Sequence, residues 1–298
     1  MQPDATPFVS VIVPIKNGEE SVDALMNALL HQSYPKDKTQ IILVDNGSQD
    51  HSYDRIKSYP VELAREERPG SYAARNKGLS LAAGEVIAFT DADCRPAADW
   101  IKRGVDALVS QKAALAGGRV SFTLPEKPTV SEMIDSAIYM QNELNVKTRR
   151  SAVTANLFAR KEVFDRIGGF EAARSGGDFL WTQKATGLGY PIIYAPDAVV
   201  HHPARSFAEL MKKSYRVGSG FVNLLPRRYF AVRVVGLLAR LLTPIPSKVI
   251  VRLARENRKN LEAQKSCLAF WGVSYAYQLV QAAAVVRSLF KGRHGFRL

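Results

Sequence analysis

The strongest constraint on this chain is a repeated pattern in its first hundred residues: a short apolar run, then an abrupt polar ending. Residues 8–15, 40–44 and 85–89 are the runs, and their endings are Lys16 and Asn17, Asp45 and Asn46, and Asp91 and Asp93. Helical patterns separate them. Val22, Leu25, Met26, Leu29 and Leu30 form one stripe within residues 20–32, and residues 71–83 read as a helix closing on Gly84. A short helix is expected over 50–58, a short strand over 61–64, and a helix over 96–111 with Pro96 in its first turn. This order predicts an α/β fold: a mainly parallel, Rossmann-like sheet with helices on both faces. Ligands of such sheets bind beyond the carboxyl ends of the strands, so the three polar endings should meet in one crevice.

Asp91 and Asp93 are the most telling of these endings. Alternate residues of a strand share a face, so both carboxylates project together. Their mutual repulsion is relieved by a cation, and a hard divalent ion that keeps positions open for phosphate oxygens suits the pair. A loop with two solvated aspartates has the same spacing, so the motif alone leaves both readings open.

The second half is less regular. Strands are expected over 115–122, 151–160, 190–195 and 198–201, a long helix over 129–147, a helix opening at Gly176, Gly177 and Asp178, and another over 206–217. Charge then divides the chain. Residues 205–298 carry 18 Lys/Arg against 3 Asp/Glu, a balance of +15, and residues 1–204 carry 23 against 25, a balance of −2. A catalytic domain over 1–220 and a helical, apolar and basic appendage over 221–298 are expected. Residues 230–242 are apolar apart from Arg233 and Arg240, Pro244 and Pro246 follow, and Arg252, Arg255, Arg258 and Lys259 form a cationic stretch. Residues 266–286 hold no charge, yet Gln278, Gln281, Ser274 and Gly272 weaken them as a membrane span. The pattern points to an anionic membrane surface and away from nucleic acid. Cys94 and Cys267 have no metal-ligand spacing, and the start of the sequence shows no secretory signal. The expected location is the cytoplasmic face of a membrane, or the cytoplasm should the appendage pack on the domain.

Four spaced elements carry a resemblance. They are residues 9–19 (VSVIVPIKNGE), 41–48 (IILVDNGS), 69–79 (PGSYAARNKGL) with Ala83, Gly84 and Glu85, and 89–93 (FTDAD). Together they resemble the nucleotide-sugar-binding half of family-2 glycosyltransferases, which have the GT-A fold. The resemblance covers about residues 8–220. It implies a nucleoside-diphosphate sugar as donor, a divalent metal (Mn2+ or Mg2+), and transfer with inversion to an acceptor hydroxyl on a sugar, lipid or glycan. Pro14 would face the nucleoside, Asp45 the base or ribose, and Arg75 the phosphates. Asp91 would contact metal or ribose, and Asp93 the metal. Residues 154–164 and Ile167–Gly168–Gly169–Phe170 resemble the strand and helix before the family's acidic motif. That motif is usually Glu-Asp. Here it reads Gly177–Asp178, with Asp178 as the implied general base. A histidine after the strand over 198–200 often reaches the metal or diphosphate; one of His201 and His202 points inward and can take that role, His201 being slightly favoured. A nucleotidyltransferase of similar fold, a phosphatase with an aspartyl nucleophile, and a membrane- or polyanion-binding protein with a degenerate GT-A domain are the alternatives.

Overall fold

The computed structural model describes residues 6–221, 230–243 and 263–292. Pro244, Pro246, Arg252, Arg255, Arg258 and Lys259 lie outside these described residues. The chain forms two compact units: Met1–Phe122, Met140–Ala172 and Gly177–Pro203 in one, and Thr123–Tyr139, Ala173–Gly176 and Ala204–Leu298 in the other. The boundary expected at residue 220 falls inside the second unit.

The first unit is built on an eight-stranded sheet. Its strands are β1 (Val9–Ile15), β2 (Thr39–Asp45), β3 (Glu62–Arg65), β4 (Val86–Thr90), β5 (Arg95–Pro96), β6 (Leu115–Thr123), β7 (Asn156–Arg160) and β8 (Ile192–Pro203), in the order β3-β2-β1-β4-β7-β6-β8-β5. The first four are parallel, linked through α1 (Glu19–Leu30), α2 (Ser52–Ile56) and α3 (Ser71–Leu81). β7 pairs antiparallel with both β4 and β6, and β5 pairs antiparallel with β8. The expected parallel order is therefore present, and it continues into an antiparallel half. Pro96 belongs to β5, and the helix expected from it, α4 (Trp100–Ser110), starts four residues later.

Burial explains why the β1 sequence is apolar at both parities. Val9, Val11, Val13 and Ile15 pack with Val22, Leu25, Met26 and Leu29 of α1. On the other face Ile12 meets α3 at Gly78, where a Cβ would lie 2.4 Å from the Ile12 side chain. Each such fully buried aliphatic side chain contributes about 1.5–3 kcal/mol. β1 pairs with β2 as far as Ile15, but with β4 only as far as Ile12 opposite Phe89. Beyond that level no ladder joins β1 to β4, and the crevice of a parallel sheet opens at such a switch in strand order. Pro14 lies in this stretch, where its missing N–H forfeits no bond to β4.

In the antiparallel half, fully buried Asn156 ties three elements together. Its Nδ2 donates to the carbonyls of Arg119 in β6 and Ala198 in β8, each at 2.8 Å, and its Oδ1 accepts from Trp100 Nε1 of α4 at 2.9 Å. The helices α6 (Asn142–Arg149), α7 (Lys161–Ile167) and α8 (Gly177–Gly187) complete this unit.

The second unit contains α5 (Val130–Ile138), α9 (Phe207–Phe221), α10 (Phe230–Leu242) and α11 (Ala263–Gly292). The long helix expected over 129–147 is divided into α5 and α6, because Met140 adopts a left-handed backbone with φ of 56°. Thr129 and Glu132 form a reciprocal capping box that starts α5. Fully buried Asp135 accepts the Arg205 backbone N–H at 3.0 Å and its guanidinium at 3.1 Å. α9 and α11 approach closely at Gly218, where a Cβ would lie 2.5 Å from the Gln281 carbonyl, and Ser214 Oγ donates to the Tyr277 carbonyl at 2.9 Å. Among the described residues no helix is long and apolar enough to cross a membrane.

Replacing Asn156 by Ala leaves one buried and one partly buried carbonyl, and an indole N–H, without their partner. The expected loss is about 3 kcal/mol of unfolding free energy, read as a lower urea midpoint at unchanged slope.

Candidate active site

Helix α3 organises the site, through three side chains on one turn. Arg75 is buried, and its guanidinium pairs with Asp91 just past the end of β4. Its Nε is buried and has no hydrogen-bond partner among the described residues. A buried guanidinium with an unsatisfied donor suits a further anion. Tyr72 donates its hydroxyl to Asp178 Oδ1 at 3.0 Å. Burial, and then the Asp178 charge, push the phenol well above its ordinary range, so it stays protonated as the donor. Asn76 binds both backbone groups of Phe170: it accepts the N–H at 2.8 Å and donates to the carbonyl at 2.7 Å.

This last contact explains the Gly168–Gly169–Phe170 sequence. A Cβ at Gly169 would sit 2.4 Å from Asn76 Oδ1, and Gly168 takes a φ of 82° that favours glycine. The Gly168 carbonyl accepts Trp181 Nε1 of α8 at 2.8 Å. Trp181 stacks on Phe164 of α7 with ring centres 4.0 Å apart, and Phe170 packs against Tyr72 and Phe89. An aromatic cluster therefore fixes α8 against α3 and β4.

Asp178 lies in the first turn of α8, one residue inside the helix rather than at its cap. Its Oδ2 accepts the Thr154 N–H at 3.2 Å, and its Oδ1 also accepts the Phe179 N–H at 3.0 Å. One acceptor position on Oδ2 remains for another hydroxyl. Gly177, where the family usually has an acid, lies under the Tyr72 ring, and a Cβ there would come within 2.8 Å of it. A side chain at 177 would therefore crowd the Tyr72 ring where it now lies.

Asp45 ends β2, is buried, and accepts the Ser48 N–H at 3.3 Å to close a turn. Its neighbour Asn46, named from the sequence as part of the polar ending but given no role, holds the loop after β3. It donates to the carbonyls of Glu66 and Arg68, each at 2.8 Å, and accepts the Gly70 N–H at 2.7 Å. Its place directly after Asp45, ahead of a loop ending in Gly70, was the available signal. Pro14 and Asp45 stand at the ends of neighbouring strands, on the same edge of the sheet as Asp91.

Of the two histidines, the structure turns His202 inward. His201 is exposed, whereas His202 is fully buried with Nε2 3.2 Å from Asp93 Oδ2. Strand parity is the reason. Inward residues of β8 run Ala195, then Ala198, Val200 and His202, because Pro196 and Asp197 both face outward and shift the alternation by one. The β5–β8 register sets Arg95 opposite His201, which leaves Cys94 level with His202. Asp93, Cys94 and His202 bring one donor atom each within 4.8 Å of one another.

The chemistry of this donor set suits a divalent cation. His202 Nδ1 lies 2.5 Å from the Pro203 carbonyl, which only an N–H satisfies. Nε2 is then the ring nitrogen left facing the Asp93 carboxylate. A ligating histidine whose other nitrogen is held by a carbonyl is the usual arrangement. Burial, followed by the Asp91 and Asp93 charges, pushes the Cys94 thiol well up, so it packs as a neutral side chain in the core.

The profile of Glycosyl transferase family 2 matches residues 10–174. The chain belongs to this family. Glycosyltransferase AglE of Haloferax volcanii is 40% identical over 240 residues, covering 78% of this chain and 79% of AglE. Among solved structures, a mannosyltransferase of Pyrobaculum calidifontis in complex with GDP-Man and Mn2+ matches with a TM-score of 0.59 and 20% identity, over 99% of this chain and 78% of that one. TarS 1–349 of S. aureus in complex with UDP matches with a TM-score of 0.55 and 17% identity, over 97% and 92%. The fold is GT-A, and the protein is a glycosyltransferase.

Replacing Gly169 by Ala forces the Asn76–Phe170 pair apart. The expected cost is about 2–3 kcal/mol. Gly187→Ala, with nothing within 4 Å of the new Cβ, should leave the denaturation midpoint unchanged or slightly higher.

Proposed function

We propose that the protein transfers a sugar, with inversion, from a nucleoside-diphosphate sugar to an acceptor hydroxyl. The observation that carries this reading is the pair Tyr72 and Arg75, which hold Asp178 and Asp91 from one turn of α3. In this reading Asp45 and Pro14 receive the nucleoside, and Arg75 receives the diphosphate through its buried guanidinium. Asp93 and His202, with Asp91 beside them, hold a divalent cation, Mn2+ or Mg2+. That cation supplies neutralisation of charge on the leaving diphosphate. Arg75 stabilises the same charge, with no reorganisation of its own.

Asp178 is the general base. It takes the proton of the acceptor hydroxyl through Oδ2 as that oxygen attacks the anomeric carbon from the face opposite the diphosphate. The hydrogen bonds from Tyr72 and Thr154 keep the carboxylate in one orientation, so the acceptor meets a base already in place. The acceptor is proposed to be a glycan or sugar carried on a lipid. The support is the basic, apolar C-terminal third of the sequence.

A panel of sugar nucleotides with Mn2+, Mg2+ or chelator tests the assignment. One donor should be consumed only with metal, and its sugar should appear on an acceptor with inverted anomeric configuration. Release of pyrophosphate instead would give the site to nucleotidyl transfer. Failure of every nucleotide and metal to raise the melting temperature would overturn the transferase reading. Asp178→Asn should lower kcat by at least about 100-fold with donor affinity nearly unchanged. For metal binding, His202→Asn should weaken Mn2+ affinity by about tenfold or more, and His201→Asn should leave it unchanged. Titration calorimetry reads both.

A further inference from the structure

Helix α11 is polarised inside out. Its face toward the second unit buries Ser274 and Gln281, each 1% exposed, beside Phe270, Ala284 and Val285. Its outer face presents Leu268, Trp271, Tyr275, Leu279, Val286 and Phe290, with Leu268 78% and Phe290 66% exposed. Their separations of three, four or seven residues place them on one stripe, about 33 Å long along the axis. α10 repeats the arrangement. It buries Val234 and Leu241, and Leu241 joins Ala282 and Val285 of α11 in one cluster. Its outward side carries Val232, 70% exposed, with Val235 and Leu242. The only charged side chains described on these two helices are Arg233, Arg240 and Arg287. All three are exposed, and the sequence of both helices contains no acidic residue. An apolar stripe of this length facing water marks an interaction surface.

We infer that the outer faces of α10 and α11 lie in the interface of an anionic bilayer, parallel to its plane. Charge complementarity selects this occupant. Arginines flank the apolar stripe without any acid, within a C-terminal third balanced at +15, and anionic headgroups attract such a face. Trp271 and Tyr275 stack with ring centres 5.4 Å apart on the outward side, and such amphipathic rings favour headgroup level. Leu, Val and Phe enter the acyl boundary while the long arginine side chains reach back to phosphate. This inference is independent of the transfer chemistry, because binding to vesicles needs neither donor nor metal.

Flotation of the full chain with vesicles tests it. The protein should float with phosphatidylcholine–phosphatidylglycerol vesicles, less with phosphatidylcholine alone, and less again as salt is raised. Leu279→Glu combined with Phe290→Glu, at exposed positions, should lower partition by at least about tenfold, while circular dichroism and melting temperature stay unchanged. Trp100 and Trp181 are buried, so quenching by brominated lipid reads Trp271. Quenching should be strong for bromines near the headgroups and weak for those at the bilayer centre. Three results would each overturn the inference: no flotation with anionic vesicles, flotation indifferent to the Glu substitutions, or centre-of-bilayer quenching. Self-association abolished by the same substitutions, without flotation, would assign the face to a second copy of the chain.

Discussion

One turn of α3 holds the catalytic half together. Tyr72, Arg75 and Asn76 reach three separate parts of the first unit: the first turn of α8, the end of β4, and the Gly168–Phe170 loop. None of these contacts is local in sequence: they bridge 106, 16 and 94 residues. Gly78, one turn further on, lets the helix lie close on Ile12. The position of α3 against β1 thus sets where two carboxylates and one guanidinium meet.

Electrostatics give this arrangement its direction. The Arg75 guanidinium is removed from water, and such a charge is costly unless compensated. Asp91 supplies one counter-charge, and the buried Nε leaves part of the demand unmet. Asp178 is handled differently. Hydrogen bonds from a phenol and two backbone N–H groups surround it, so it stays oriented without a cation of its own. The two acids therefore differ in environment.

Much of this was legible in the sequence, because parallel strands buried on both faces are written as apolar runs, and their polar endings line up by topology. Asp45, Asp91 and Asp93 stood out on that ground, and Arg75, inside a helix, only through the resemblance of its motif. Three features escaped for identifiable reasons. The helix over 129–147 looks continuous, since a left-handed Met140 has no side-chain signature. Residues 190–195 and 198–201 look like two strands separated by Pro196 and Asp197. They form one strand, in which that pair shifts the phase and exchanges His201 for His202. Pro96 looks like a helix start, but it is drawn into a two-residue strand by β8, a partner distant in sequence. In the two strand cases tertiary pairing overrode a local preference.

Positions 72 and 177 fill a single volume between them. The Tyr72 ring occupies the space that a side chain at 177 would need. A side chain added at 177 would therefore need a smaller residue at 72, or a shift of the Tyr72 ring, so the two positions constrain each other across more than a hundred residues of sequence.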